Sequence, residues 1–116
     1  MRIDHYSFGR ITINGRSYSS DVIIYPERVD SSWWRKEGHL LQPDDLMEII
    51  AAKPDILIVG TGYSGVMDVP IETINYISHR GIELHIERTS KAVEVFNRLQ
   101  KERPGKKIIA ALHLTC

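Results

Sequence analysis

The chain has 116 residues, of which 42% are hydrophobic and 26% charged. That is the length of one ordinary domain, and such a domain buries roughly 65% of its unfolded surface, so a core forms without disulfide or metal staples. Fifteen basic residues balance fifteen acidic ones, which argues against a general nucleic-acid binder or a protein held on membranes by bulk charge.

The single cysteine is Cys116, so no intrachain disulfide is available, as suits a reducing compartment. Met1-Arg2-Ile3-Asp4-His5-Tyr6 has neither an apolar signal core nor the character of a presequence. No apolar stretch approaches the ~20 residues of a transmembrane helix. The expected location is the cytoplasm, with no membrane association. Charge is unevenly spread. From Glu37 to Glu72 there are seven acids and one base; from Glu87 onward there are seven bases and three acids. No aromatic platform accompanies the bases, so a solvated helix face is favoured over RNA or an acidic partner.

In chain order, Ile11 and Ile13 alternate with polar residues and run into Asn14-Gly15, the strongest short hairpin signal. The return arm begins at Arg16-Ser17-Tyr18. Val22-Ile23-Ile24-Tyr25, stopped by Pro26, reads as another strand. Ser31 to Gln42 has no clear period and reads as a loop or an irregular strand pair. Pro43 is placed to open a helix, with Asp44 and Asp45 in its first turn and Leu46, Ile49 and Ile50 at helical spacing. Ile56-Leu57-Ile58-Val59 is a continuous apolar run, as for a strand buried on both faces. Pro70 starts a second helix, with Ile71, Ile74 and Ile77 predicted inward and Gly81 as its stop. Ile82, Leu84 and Ile86 form an alternating strand. Thr89 or Ser90 is predicted to cap a third helix whose apolar face is Ala92, Val95, Phe96 and Leu99. Ile108 to Leu114 is the last strand. A β-rich layer over 1–42 thus precedes an α/β body over 43–116, within one domain spanning 1–116.

Gly60-Thr61-Gly62-Tyr63-Ser64-Gly65 fits a dinucleotide fingerprint, with Glu87 at the end of the next strand. The physics of that motif needs its third glycine inside a helix whose N-terminus faces the pyrophosphate. Here Val66-Met67-Asp68-Val69 intervenes, and Asp68 would repel an anion. A strand-to-helix turn is favoured. Binding of a small anion or nucleotide by the amides of Gly60, Thr61, Gly62, Tyr63, Ser64 and Gly65 is the alternative.

His5, His39, His79, His85 and His113 lie in no tight metal spacing, so no metal is expected. In an extended strand His113 and Cys116 face opposite sides, so a Cys-His couple needs a bent terminus. Trp33-Trp34-Arg35 allows guanidinium stacking. It reads as an exposed recognition patch, or as one tryptophan plugging the core under the front hairpin with Arg35 paired to Asp30 or Glu37.

Several ordered strings carry a resemblance: Phe8-Gly9 through Asn14-Gly15, Asp21-Val22 with Pro26, Trp33-Trp34-Arg35 with Gly38, and Leu57 through Gly62. Val69-Pro70, Tyr76 with Gly81-Ile82, Thr89 with Ala92-Val93, Phe96-Asn97 with Leu99, and His113-Leu114-Thr115-Cys116 follow. Together they resemble the small-domain family of the adipogenesis-associated protein and the mitochondrial complex I assembly factor 3. The resemblance implies a three-layer α/β fold, (β+α)/β/α, with a central mixed sheet and an antiparallel N-terminal β-hairpin layer. It implies no cofactor and no catalytic set, and its mitochondrial branch implies an assembly role. The expected function is a non-enzymatic binding or assembly-factor-like module with a protein partner, and a homodimer is compatible with it. The alternative is a small-molecule binding protein or enzyme with its site at Gly60–Gly65.

Overall fold

Two strands buried along their whole length organise the chain. In the computed structural model, which describes residues 1–116, β6 (Ile56–Thr61) and β8 (Ile108–His113) lie side by side and parallel. Around them come β1 (Ile3–Ser7), β2 (Arg10–Ile13), β3 (Arg16–Tyr18), β4 (Val22–Ile24), β5 (Val29–Asp30) and β7 (Glu83–Glu87). The helices are α1 (Met47–Ala51), entered through a 3-10 turn at Pro43–Leu46, α2 (Ile71–Ser78) and α3 (Thr89–Glu102). The larger sheet has the order β5-β4-β8-β6-β7, and β1-β2-β3 form a separate antiparallel sheet. The larger sheet is mixed, because β4 runs antiparallel to both β5 and β8, while β6 runs parallel to β7 and β8.

The period of two along each strand divides the core. Ile56, Ile58, Ile108, Ala110 and Leu112 face one side, where the small sheet and the α3 residues Ala92, Val95, Phe96 and Leu99 cover them. Leu57, Val59, Ile109 and Ala111 face the other side, against Ile49 of α1, Ile77 of α2 and the loop residues Trp33 and Leu41. The result is the three-layer α/β architecture. The hairpin joining β2 and β3 turns at Asn14 (φ 50°) and Gly15 (φ 80°), the left-handed pair such a turn needs.

Four local features depart from the pattern reading. β1 buries only its first residue, Ile3, fully, so its sequence carries no alternation to reveal it. Met47 begins the α-helix proper, after the 3-10 turn that Pro43 opens. On α2 the buried residues are Thr73 and Ile77, while Ile71 is 70% exposed. Ile71 lies two residues from Thr73, about 200° round the helix, so both cannot face inward. Thr89 is the first residue of α3, not its cap; Arg88 holds the capping position and makes no side-chain capping bond. The Thr89 hydroxyl is bonded elsewhere, to the main chain of His113 and Gly62.

The α2 assignment has a direct consequence. Ile77→Ala is expected to cost about 2–4 kcal/mol, whereas Ile71→Ser stays within about 0.5 kcal/mol of the parent. Urea unfolding of the two variants checks this, and similar losses in both would contradict the assigned face.

Candidate functional site

A buried polar cluster closes the C-terminal edge of the larger sheet. Asp21 stands just before β4, His113 ends β8, and Arg35 comes from the irregular loop between β5 and the 3-10 turn. Asp21 Oδ2 accepts from Arg35 Nη2 at 2.8 Å and from His113 Nδ1 at 2.8 Å; its Oδ1 accepts from the Leu114 amide at 2.8 Å. A carboxylate only accepts, so Nδ1 carries the imidazole proton. Arg35 Nη2, 3.0 Å from Nδ1, therefore shares the carboxylate and does not bond to the ring. Arg35 also donates to the Gly38 carbonyl at 3.0 Å. Burial alone would raise the Asp21 pKa, but hydrogen bonds from His113, the Leu114 amide and Arg35 outweigh it and hold the carboxyl at about 2.

Two buried atoms of the cluster, His113 Nε2 and Arg35 Nη1, have no hydrogen-bond partner. The His39 ring lies edge-on to His113 with centroids 5.8 Å apart. No hydroxyl or thiol bonds to His113 Nε2, and Cys116 is exposed. The Asp21–His113 pair thus has the orienting half of a nucleophile–base arrangement and no nucleophile at hydrogen-bond distance. No three histidine, cysteine, aspartate or glutamate side chains converge as a metal-holding group.

The glycine loop lies against the same edge. Thr89 Oγ1 donates to the His113 carbonyl at 2.6 Å and accepts from the Gly62 amide at 2.9 Å. The amides a bound anion would use point to the chain's own main chain. Tyr63 N donates to Thr115 O at 2.7 Å, and Ser64 N and Val66 N donate to Cys116 O at 3.3 and 3.1 Å. Gly62 has φ +109°, and a Cβ there would collide with the main chain of Thr115 and Cys116. Thr61 Oγ1 donates to Glu87 O at 3.2 Å. Gly60 lies within β6, where a Cβ would meet Thr89 and Leu112, and Gly65 turns beside the Arg88 side chain. None of the four surface cavities is lined by residues 60–65. Next to the loop, the exposed Tyr63 ring meets Phe8 edge-on at 5.8 Å. Burial pushes the nearby Tyr6 phenol up to about 12, with Tyr63 and Asp21 adding to the shift, and its hydroxyl donates to Leu114 O at 2.8 Å.

The segment Trp33-Trp34-Arg35 is split by burial that alternates from residue to residue. Trp33 and Arg35 are each 8% exposed, while Trp34 is 75% exposed. Trp33 fills the core on the α1–α2 side, not under the hairpin; its Nε1 donates to Asp45 O at 3.3 Å. Arg35 stacks over the Trp33 ring at 4.5 Å and pairs with Asp21, not with Asp30 or Glu37. Of the three surface candidates, only Trp34 lies on the surface. It stands at a groove of about 480 Å³ that also presents Met47, Asp30, Asp44, Glu48 and Lys36.

These geometries define an α/β three-layer domain with a closed sheet edge and an open aromatic groove. The model of the family described as protein of unknown function (DUF498/DUF598) matches residues 3–113. The chain belongs to that family. It is similar in structure to a conserved hypothetical protein from Pyrococcus horikoshii, at 28% identity and a TM-score of 0.79 with 100% of each chain covered. It is also similar to the Rpa2829 protein from Rhodopseudomonas palustris, at 26% identity over 96% of this chain and 81% of that one, with a TM-score of 0.77. An outer membrane protein from Bartonella henselae shares the fold, at 22% identity over 98% of this chain and 94% of that one, with a TM-score of 0.80. No helix of this chain is long and apolar enough to cross a membrane.

Sequence reading missed the joining of Asp21, Arg35 and His113. The available signal was His113 itself, a polar residue inside the apolar run Ile108–Leu114, which needs a partner once buried. Two expected outcomes follow from the geometry. Asp21→Asn leaves the buried Arg35 without its counter-charge and should cost about 3 kcal/mol. Because the folded Asp21 pKa is depressed, its contribution is present above the unfolded value and lost as pH falls from near 4 to about 2; the variant should lose that acid sensitivity, read by urea midpoints across this range. Gly62→Ala forces a side chain into the Thr115–Cys116 main chain and should cost about 2–3 kcal/mol, measured by thermal unfolding; an unchanged midpoint would contradict the packing described.

Proposed function

We propose that this protein is a non-enzymatic binding module of the assembly-factor kind, acting in the cytoplasm, and that it docks a protein partner at the Trp34 groove. The observation that carries this reading is the exposure of Trp34 beside a buried, anchored neighbour. Tryptophan is a large apolar residue, and its type is enriched where interfaces concentrate their binding energy. Trp33, clamped between Arg35 and the Asp45 carbonyl, fixes the backbone from which Trp34 projects. Little ordering is then left to oppose association. The resemblance to the adipogenesis-associated protein and complex I assembly factor 3 supports an assembly role. The glycine loop is the weaker candidate, because its amides already hold Thr115 and Cys116.

Photo-crosslinking tests the reading. A benzophenone side chain placed at position 47, on the groove rim, is irradiated in extract at physiological salt, with and without Trp34→Ala. The expected result is one reproducible protein adduct that Trp34→Ala abolishes while shifting stability by no more than about 0.5 kcal/mol. The same adducts in both proteins, or none in either, would overturn it.

A further inference from the structure

The charge of the Trp34 groove is one-sided. Asp30, Asp44, Asp45 and Glu48 line it against one base, Lys36. Asp45 is fully engaged, since its two oxygens accept the amides of Lys36 and Gln42 at 3.0 and 2.9 Å. One oxygen of Asp30 accepts from Ser32. Asp44 and Glu48 are exposed and enter no ion pair or side-chain hydrogen bond. Tyr25, only 2% exposed, keeps a hydroxyl without a hydrogen-bond partner. Burial first, then the charges of Glu48 and Asp30, raises its pKa against the Arg28 guanidinium, which lies 4.0 Å over its ring, so the phenol stays protonated. The acidic stretch Glu37–Glu72 carries the same sign beyond the groove.

We infer that the groove takes a basic segment of a partner protein, one that presents an arginine or lysine next to an apolar side chain. The inference rests on the groove being a protein-docking site and adds the chemistry of the occupant. The outward Trp34 ring offers a face to a guanidinium or ammonium group. The chain already makes that contact internally, where Arg35 covers Trp33 at 4.5 Å. Asp44 and Glu48 supply the opposite charge, and Met47 gives an adaptable apolar contact for the stem of a long cation. An acidic segment would meet like charge. A purely apolar segment would desolvate two unpaired carboxylates, a penalty that favours a different partner.

The two tryptophans separate the signals, because Trp33 is buried and Trp34 is exposed. A short blocked peptide of alternating arginine and leucine is titrated while tryptophan fluorescence is followed. Its counterpart with glutamate replacing arginine is the control. The arginine peptide should give a saturable change, and the glutamate peptide none. Asp44→Asn combined with Glu48→Gln should weaken binding about five- to tenfold, and high salt should do the same. Both substitutions are on the surface, and an unchanged thermal midpoint confirms that the fold is intact.

Three results overturn the inference: an equal response to the glutamate peptide, an affinity unchanged by the two carboxamides, or an affinity unchanged in Trp34→Ala, measured by calorimetry. Sedimentation of the protein alone gives a fourth. Self-association lost in the carboxamide variant would make a second copy the occupant. The two readings also fail separately. An adduct from position 47 that persists in the carboxamide variant leaves the docking site standing and removes the basic partner. Peptide binding with no adduct from extract removes the docking site as a natural one.

Discussion

The Asp21 carboxylate is the contact on which the rest of the molecule closes. Two segments distant in sequence meet on its two oxygens: the Arg35 loop, and the end of β8 with the His113 ring and the Leu114 amide. Each is a charge-assisted bond, stronger than its neutral equivalent. Together they fix where β8 stops and which way the chain turns afterwards. Leu114 O then receives the amide of Gly9 and the hydroxyl of Tyr6, which ties the small sheet to the same point. A second directional tie comes from α3, where the Asn97 side chain accepts from Ile3 N at 3.0 Å and donates to Ile3 O at 2.8 Å; the apolar contact between the layers is non-directional and sets no register by itself.

The same junction determines what the surface presents. Arg35 is drawn inward to Asp21 and stacks on Trp33. Burial alternates along residues 33–36, so neighbouring side chains lie on opposite sides of the chain. Burying Trp33 and Arg35 therefore turns Trp34 and Lys36 outward. The exposed indole is thus a geometric result of an ion pair on the other side of the backbone. An aromatic group held in this way binds with less ordering than one on a free loop. The groove and the closed sheet edge are two faces of one arrangement, although they do not share a wall.

Much of the frame was legible in the sequence because single elements carry it. β6 and β8 are continuous apolar runs, α3 has a clean helical stripe, and Asn14-Gly15 marks its hairpin without tertiary help. β1 and β5 were hidden for a physical reason: a short edge element that buries little has no hydrophobic pattern to read. Ile71 misled because an isoleucine on a two-turn helix matches either face by spacing. The polar junction left one mark in the sequence, His113 inside an apolar run, and nothing that named its partners. Asp21, Arg35 and His113 are separated by 14 and 78 residues, and nothing local distinguishes an aspartate that will meet a histidine from one that will meet water.

The glycine loop shows why spacing alone misplaces a site. A dinucleotide fingerprint works when amides at a helix N-terminus are left without partners, so that a phosphate completes them. In this chain the helix begins only at Ile71, and the amides of Tyr63, Ser64 and Val66 are completed by Thr115 and Cys116, that of Gly65 by Gly62. Thr89 strengthens that internal use, since its hydroxyl bridges Gly62 to His113 where a capping threonine would serve its own helix. A loop whose amide donors are already satisfied gains little from a ligand that must first displace them. Trp34, Asp44 and Glu48 have no such internal partners. The side chains left open to a partner under the proposed reading therefore lie not at the sheet edge, where an α/β sheet commonly binds, but at the groove beside α1.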